Sequence, residues 1–209
     1  ERFRYYQNRE QVRTLVEEAV RAASAPAPAD PVRALLDGLA TGPGSWLLDW
    51  TNKQVGDEGI RALAACPALA KRTMLYLSGN RITDAGARAL AASPHLAGVT
   101  RLVLWDNQIG DAGVAALAAS PHLANLASLD LGRNHVGDAG ARALADSPYL
   151  AGLSALILVS NRIGDAGALA LAESRYLADL AELKPLNNHI GAAGVTALRE
   201  RFGKRVRIY

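Results

Sequence analysis

Three sets of side chains have types and spacings that could do chemistry. Asp130, Asn134, His135 and Asp138 stand close together with several glycines, a mixture of oxygen and nitrogen donors of the kind that holds a cation or moves a proton. Asp57, Asp84, Asp111, Asp138 and Asp165 form a series that resembles a calcium or catalytic set. Cys66 is a candidate nucleophile, and His95 and His122 are candidate metal ligands.

Each set loses its chemical reading when the elements that carry it are laid out. The pattern Leu-x-Leu-x-x-Asn-x-(Ile/Val)-(Gly/Thr)-Asp-x-Gly recurs, with its asparagines at Asn80, Asn107, Asn134, Asn161 and Asn188, each 27 residues after the last. One further step back reaches Lys53, within Leu48-Asp49-Trp50-Thr51-Asn52-Lys53-Gln54-Val55. A fixed period of this length is the signature of a stacked repeat architecture. Paired leucines such as Leu129 and Leu131 are two apart and share one side of a strand, so stacked copies give a parallel sheet with a continuous leucine core. The chain turns at each asparagine, whose side chain carries both donor and acceptor for backbone groups that the turn leaves without a ladder partner. The repeated aspartates are expected at helix N-caps, and the glycines after them are expected to allow close helix-to-strand approach. Identical spacing therefore gives each aspartate a local structural role. Cys66 takes the column of Ser93, Ser120 and Ser147, which fits a structural substitute. The His95 and His122 column continues as Tyr149 and Tyr176 and offers no carboxylate or thiol. No glycine-rich loop followed by Lys-Ser or Lys-Thr is present. No catalytic residue, cofactor or metal is expected, and the chain is not expected to be an enzyme.

Segments such as Leu75-Tyr76-Leu77-Ser78-Gly79-Asn80-Arg81-Ile82, with the Gly-Asp-Ala-Gly helix starts at Gly110, Gly137 and Gly164, resemble the leucine-rich repeat family and within it the ribonuclease-inhibitor-like subtype. The resemblance covers about residues 46 to 208, and the Ala-, Gly- and Arg-rich wording is similar to bacterial members. It implies an α/β solenoid of horseshoe shape, with a parallel sheet on the concave face and helices on the convex face. It also implies a non-enzymatic module for binding other proteins.

Around the repeats, residues 1–29 read as an amphipathic helix followed by an Ala/Pro linker, serving either as a surface cap or as a docking helix. Residues 30–209 read as the solenoid, starting with a degenerate first helix that has Asp30 as N-cap and Pro31 at its first position. Val206-Arg207-Ile208 alternates like a capping strand. The net charge of +3 is uneven. Arg199, Arg201, Lys204, Arg205 and Arg207 against Glu200 give the tail +4, which leaves −1 for the remainder. That basic tip is an edge-protecting device or, as an alternative, a nucleic-acid patch; one cluster without interleaved aromatics argues against the latter. The absence of any run of 18 apolar residues argues against a membrane span, and one cysteine fits a reducing compartment, so a cytoplasmic monomer is expected. The start at Glu1, without Met, fits a processed chain or a fragment.

What varies between copies is left for function. The strand positions beside the core leucines give Tyr76, Arg101, Val103, Trp105, Asp106, Asp130, Ile157 and Val159, more apolar than a solvated sheet face needs. They are expected to form a protein-binding surface on the concave face, anchored by Trp105 and Tyr76. The competing expectation is scattered exposure, or cover by the N-terminal segment. A recognition or regulatory arm of a larger protein is compatible with the first.

Four positions break the repeat rule. Trp50 stands for a core leucine, Lys53 for an asparagine, Arg72 for an apolar residue, and Pro185 for the last core leucine. Arg72 is expected to reach solvent or an acidic partner, and Pro185 to lie in a distorted or edge strand.

Overall fold

The computed structural model describes residues 31–41 and 46–207. The chain divides into two compact units, Glu1–Leu35 and Leu36–Tyr209. The N-terminal helix and linker expected over 1–29 lie outside the described residues. Helix α1 spans Pro31–Thr41.

In the second unit, strand and helix alternate. Strands β1 (Leu47–Asp49), β2 (Met74–Tyr76), β3 (Arg101–Val103), β4 (Ser128–Asp130), β5 (Ala155–Ile157) and β6 (Glu182–Lys184) form one six-stranded parallel sheet in sequence order. Helices α2 (Gly56–Ala64), α3 (Asp84–Ala91), α4 (Asp111–Ala118), α5 (Asp138–Ala145), α6 (Asp165–Glu173) and α7 (Ala192–Phe202) follow the strands, and each packs on the next. The register is the one a 27-residue period requires, with Leu48, Leu75, Leu102, Leu129, Leu156 and Leu183 as successive partners. These leucines, together with Leu77, Leu104, Leu131 and Leu158, are buried in one core that also takes in Ile82, Ile109, Val136 and Ile163. The expected α/β repeat solenoid with a parallel sheet is what the chain forms, and its sheet stays open, with β1 and β6 at the edges.

Three ladders of side-chain hydrogen bonds tie the coils together. In the first, each turn asparagine serves the coil before it as well as its own. Asn134 donates through Nδ2 to the carbonyls of Leu104, Leu131 and Gly132, and its Oδ1 accepts from the Ile109 N–H at 3.0 Å. Asn80, Asn107, Asn161 and Asn188 repeat the reach to the preceding coil, at the carbonyls of Trp50, Leu77, Leu131 and Leu158. Lys53, at the asparagine position of the first strand-bearing coil, is exposed and lends its N–H to Asn80 Oδ1.

The second ladder corrects the expectation for the aspartates. They are not the caps of their own helices. Asp84, Asp111, Asp138 and Asp165 are first helical residues, and the cap position is held by Thr83, Gly110, Gly137 and Gly164. Each carboxylate accepts instead from two N–H groups one coil further on. Asp84 Oδ1 takes Gly110 N at 2.7 Å and Gly113 N at 2.9 Å, and Asp111 Oδ1 takes Gly137 N at 2.6 Å and Gly140 N at 3.0 Å. The reason is geometric. Stacked helices bring each start beside the next, and a glycine cap has no side chain of its own to satisfy the first N–H groups. The second glycine is small for the same contact and for a close approach to the core of its own coil: a Cβ on Gly140 would stand 2.6 Å from Asp111 Oδ1 and 2.8 Å from Val136 Cγ1.

In the third ladder, Ser93, Ser120, Ser147 and Ser174 donate to Ala64, Ala91, Ala118 and Ala145 carbonyls near the end of the preceding helix.

The ends use other devices. Arg72 does not reach solvent; it is buried at 5% exposure and donates through Nη2 to the Leu39 carbonyl of α1 at 3.1 Å. Pro185 follows β6, the edge strand. The equivalent N–H groups of Leu77, Leu104, Leu131 and Leu158 donate to the following coil, and among the described residues no strand follows β6 to accept from position 185, where a proline stands. Val206 makes a single parallel bridge to Leu183, and Arg205 donates to the carbonyls of Ala178, Leu180 and Arg201. Arg201 and Arg205 also lie over the Phe202 ring. Arg201 also donates to the Ser174 carbonyl, so two of the tail cations are engaged on backbone carbonyls of the preceding coil.

Candidate partner-binding face

Successive residues of a strand point to opposite sides, so the residues flanking the core leucines occupy the other face of the sheet. The register sets them in rows. One row runs Asp49, Tyr76, Val103, Asp130, Ile157, Lys184. Beside it runs Leu47, Met74, Arg101, Ser128, Ala155, Glu182. On the other flank, past the strand ends, come Thr51, Ser78, Trp105, Gly132, Val159 and Leu186.

Tyr76, Val103, Asp130 and Ile157 are therefore consecutive neighbours across β2 to β5, at about 4.8 Å per strand. Tyr76, Val103, Trp105, Ile157 and Val159 are all part-buried, while Arg101 is exposed. Asp106 does not share these rows. It sits in the turn with φ +56°, and lines a cleft of about 380 Å³ at the sheet rim with Arg81, Gln108, Arg133 and His135. Of the turn residues, Asn80, Asn107, Asn134 and Asn161 are buried and Asn188 is part-buried. Among the described residues no three His, Cys, Asp or Glu side chains group as metal ligands, and no helix is long and apolar enough to cross a membrane.

Gly132 is the residue that the sequence did not single out. A Cβ there would lie 2.1 Å from Trp105 Cε3, because the indole lies over this glycine of the next coil. The signal available in the sequence was a glycine alone in a column of larger side chains, one coil after a tryptophan. The guanidinium of Arg133 stands 5.8 Å from the Trp105 ring centre on its face, within cation–π range. Trp105 in this way meets two residues of the following coil. Gly132→Ala is expected to displace the indole and to cost about 1–3 kcal/mol of stability, as overpacking does. Trp105 emission and urea unfolding would check both parts, and an unshifted emission would refute the contact.

Asp130 is the one acid at the centre of the face. Its Oδ1 accepts the Gly132 N–H at 2.9 Å. Burial raises its carboxyl above the ordinary value, against the opposing effects of the Gly132 N–H and the Lys184 charge. Lys184 is itself held 2.9 Å from Glu182, whose carboxyl that hydrogen bond lowers. The raised pKa of Asp130 means that the folded state holds this proton more tightly than the unfolded state. Ionised Asp130 therefore subtracts stability above its folded pKa, and the loss fades as pH falls toward the unfolded value.

Comparison with protein families supports the repeat. The leucine-rich repeat family model matches residues 73–91, 99–118, 122–145 and 153–172. No curated protein matches the sequence. Among solved structures, an internalin from Listeria monocytogenes strain 4b F2365 is similar at 24% identity and TM-score 0.45, over 65% of this chain and 35% of its own, so this chain spans about a third of that one. The leiomodin-1 segment described as actin-binding site 2 is similar at 19% identity and TM-score 0.42, over 85% of this chain and 90% of its own. Strand register, asparagine turns and family matches fall in the same phase, so the coils within residues 73–172 are similar to leucine-rich repeats.

Proposed function

We propose that this chain is a non-enzymatic interaction module whose exposed sheet face, the concave side expected of such a solenoid, binds a protein partner. The observation that carries this reading is the row Tyr76, Val103, Asp130, Ile157 with Trp105 and Val159 alongside. Part-buried aromatic and branched side chains on a sheet face, with no helix of the repeat above them, are the material of an interface core, and Trp and Tyr are its usual anchors. The scaffold suits the role, since each coil contacts its neighbours and presents one further strip of surface. Once a partner is in hand, Trp105→Ala is expected to weaken binding by about tenfold or more, roughly 1.4 kcal/mol, by calorimetry. A change under about 0.5 kcal/mol would show that the anchor lies elsewhere.

A further inference from the structure

We propose that the partner inserts a basic side chain, lysine or arginine, at Asp130, and that this contact sets the specificity of the sheet face. The inference rests on the interaction reading above and adds the chemistry of what is recognised.

Asp130 stands between Val103 and Ile157 in the strand register. A Cβ placed on Gly132 would be 3.2 Å from Asp130 Oδ1 and 2.1 Å from Trp105 Cε3, so carboxylate and indole crowd the same point. No partner can cover Val103, Trp105 and Ile157 without covering Asp130. Among the described residues Asp130 makes no ion pair, and Lys184, the cation sharing its row, is held by Glu182. Burying a carboxylate without a counter-charge costs several kcal/mol, so a docked surface must bring a cation to it. A long basic side chain suits the place, since its apolar stem can lie along Val103, Ile157 and the indole while its charged head reaches the carboxylate.

Charge on this face also carries a stability cost at neutral pH, which makes Asp130→Asn a clean probe. The asparagine keeps an oxygen for the Gly132 N–H and removes an ionised group that burial disfavours, so the variant is expected to fold at least as stably at pH 7.

The test is selection of displayed random peptides on the immobilised protein, keeping those that bind the wild type and not Trp105→Ala. The retained peptides are expected to share a lysine or arginine, to bind Asp130→Asn roughly tenfold or more weakly, and to be replaced by peptides bearing Asp or Glu when Asp130→Lys is the target. Retained peptides without basic enrichment, or affinity for Asp130→Asn within about twofold of wild type, would overturn the cation contact while leaving the face as a binding surface. If no peptide distinguishes wild type from Trp105→Ala, the face itself is not the binding surface and both readings fall.

Discussion

Asn134→Ala should lower the unfolding free energy by about 2–4 kcal/mol, because it leaves one buried backbone N–H without a partner at about 1–3 kcal/mol and removes one donor from each of three buried carbonyls. The asparagine is 5% exposed. Its loss strands the Ile109 N–H in the preceding coil, while the carbonyls of Leu104, Leu131 and Gly132 each lose one of two donors and keep Asn107 Nδ2, Asn161 Nδ2 and the Asp106 N–H. Water cannot easily replace it, since the neighbours are the core residues Leu104, Leu131 and Val136, all at 0% exposure. Asn134→Asp tests the donor half alone: the acceptor for Ile109 is retained, but a carboxylate then faces three carbonyl oxygens, so the aspartate should be no better than alanine at neutral pH. Asn188→Ala provides the internal comparison. Asn188 makes the same pattern of bonds from a part-buried site in the last asparagine-bearing coil, where solvent takes over some of them, and about half the effect is expected. Urea unfolding of the three variants measures this directly. A loss below about 1 kcal/mol for Asn134→Ala would mean that the ladder is geometry without energetic weight.

The position of the asparagines, the leucine register and the helix that follows each turn were legible because each is fixed by a local rule repeated in phase. A leucine pair two apart, a turn and a good helix former each make sense within one coil. The rest depended on contacts between coils. Sequence places Asp111 at a helix start, and capping its own helix or the next one fits the same spacing; only the stacking of α4 on α5 decides for Gly137 and Gly140. Arg72 broke its column visibly, but its acceptor, Leu39, lies in a helix that precedes the strand-bearing coils. The face residues were legible as rows. That Trp105 lies across Gly132, and that Asp130 is thereby crowded and desolvated, follows from how one indole is turned, which no spacing records. Asp106 directly follows Trp105 in the sequence, yet its left-handed backbone puts it in the turn and off the sheet rows.

Asp111→Ala should cost about 2–3 kcal/mol, the scale for losing hydrogen bonds to a charged acceptor, and the damage should appear in the wrong helix. Asp111 opens α4, yet its Oδ1 holds the first N–H groups of the next coil, at Gly137 and Gly140, while α4 keeps its own start through Asp84 at Gly110 and Gly113. Hydrogen exchange should therefore show the Gly137 and Gly140 amides losing protection and those of Gly110 and Gly113 keeping theirs. The opposite pattern would restore the conventional N-cap and remove the ladder. Gly140→Ala supplies a second measure of the same contact. Alanine is favoured over glycine in a helix by roughly 1 kcal/mol, but its Cβ would stand 2.6 Å from Asp111 Oδ1 and 2.8 Å from Val136 Cγ1. The substitution should destabilise the wild type, and part of that loss should vanish in the Asp111→Ala background. The coupling between the two sites, read from the double-mutant cycle, should be at least about 0.5 kcal/mol, as it is for residues in contact. Strict additivity would mean that the aspartate and the glycine recur together for separate reasons. Coupling would mean that the pair is the joint by which one coil fixes the next, and that the spacing of the strand rows, and with it the distance from Tyr76 to Ile157 across the exposed sheet face, is set from the helical side of the sheet.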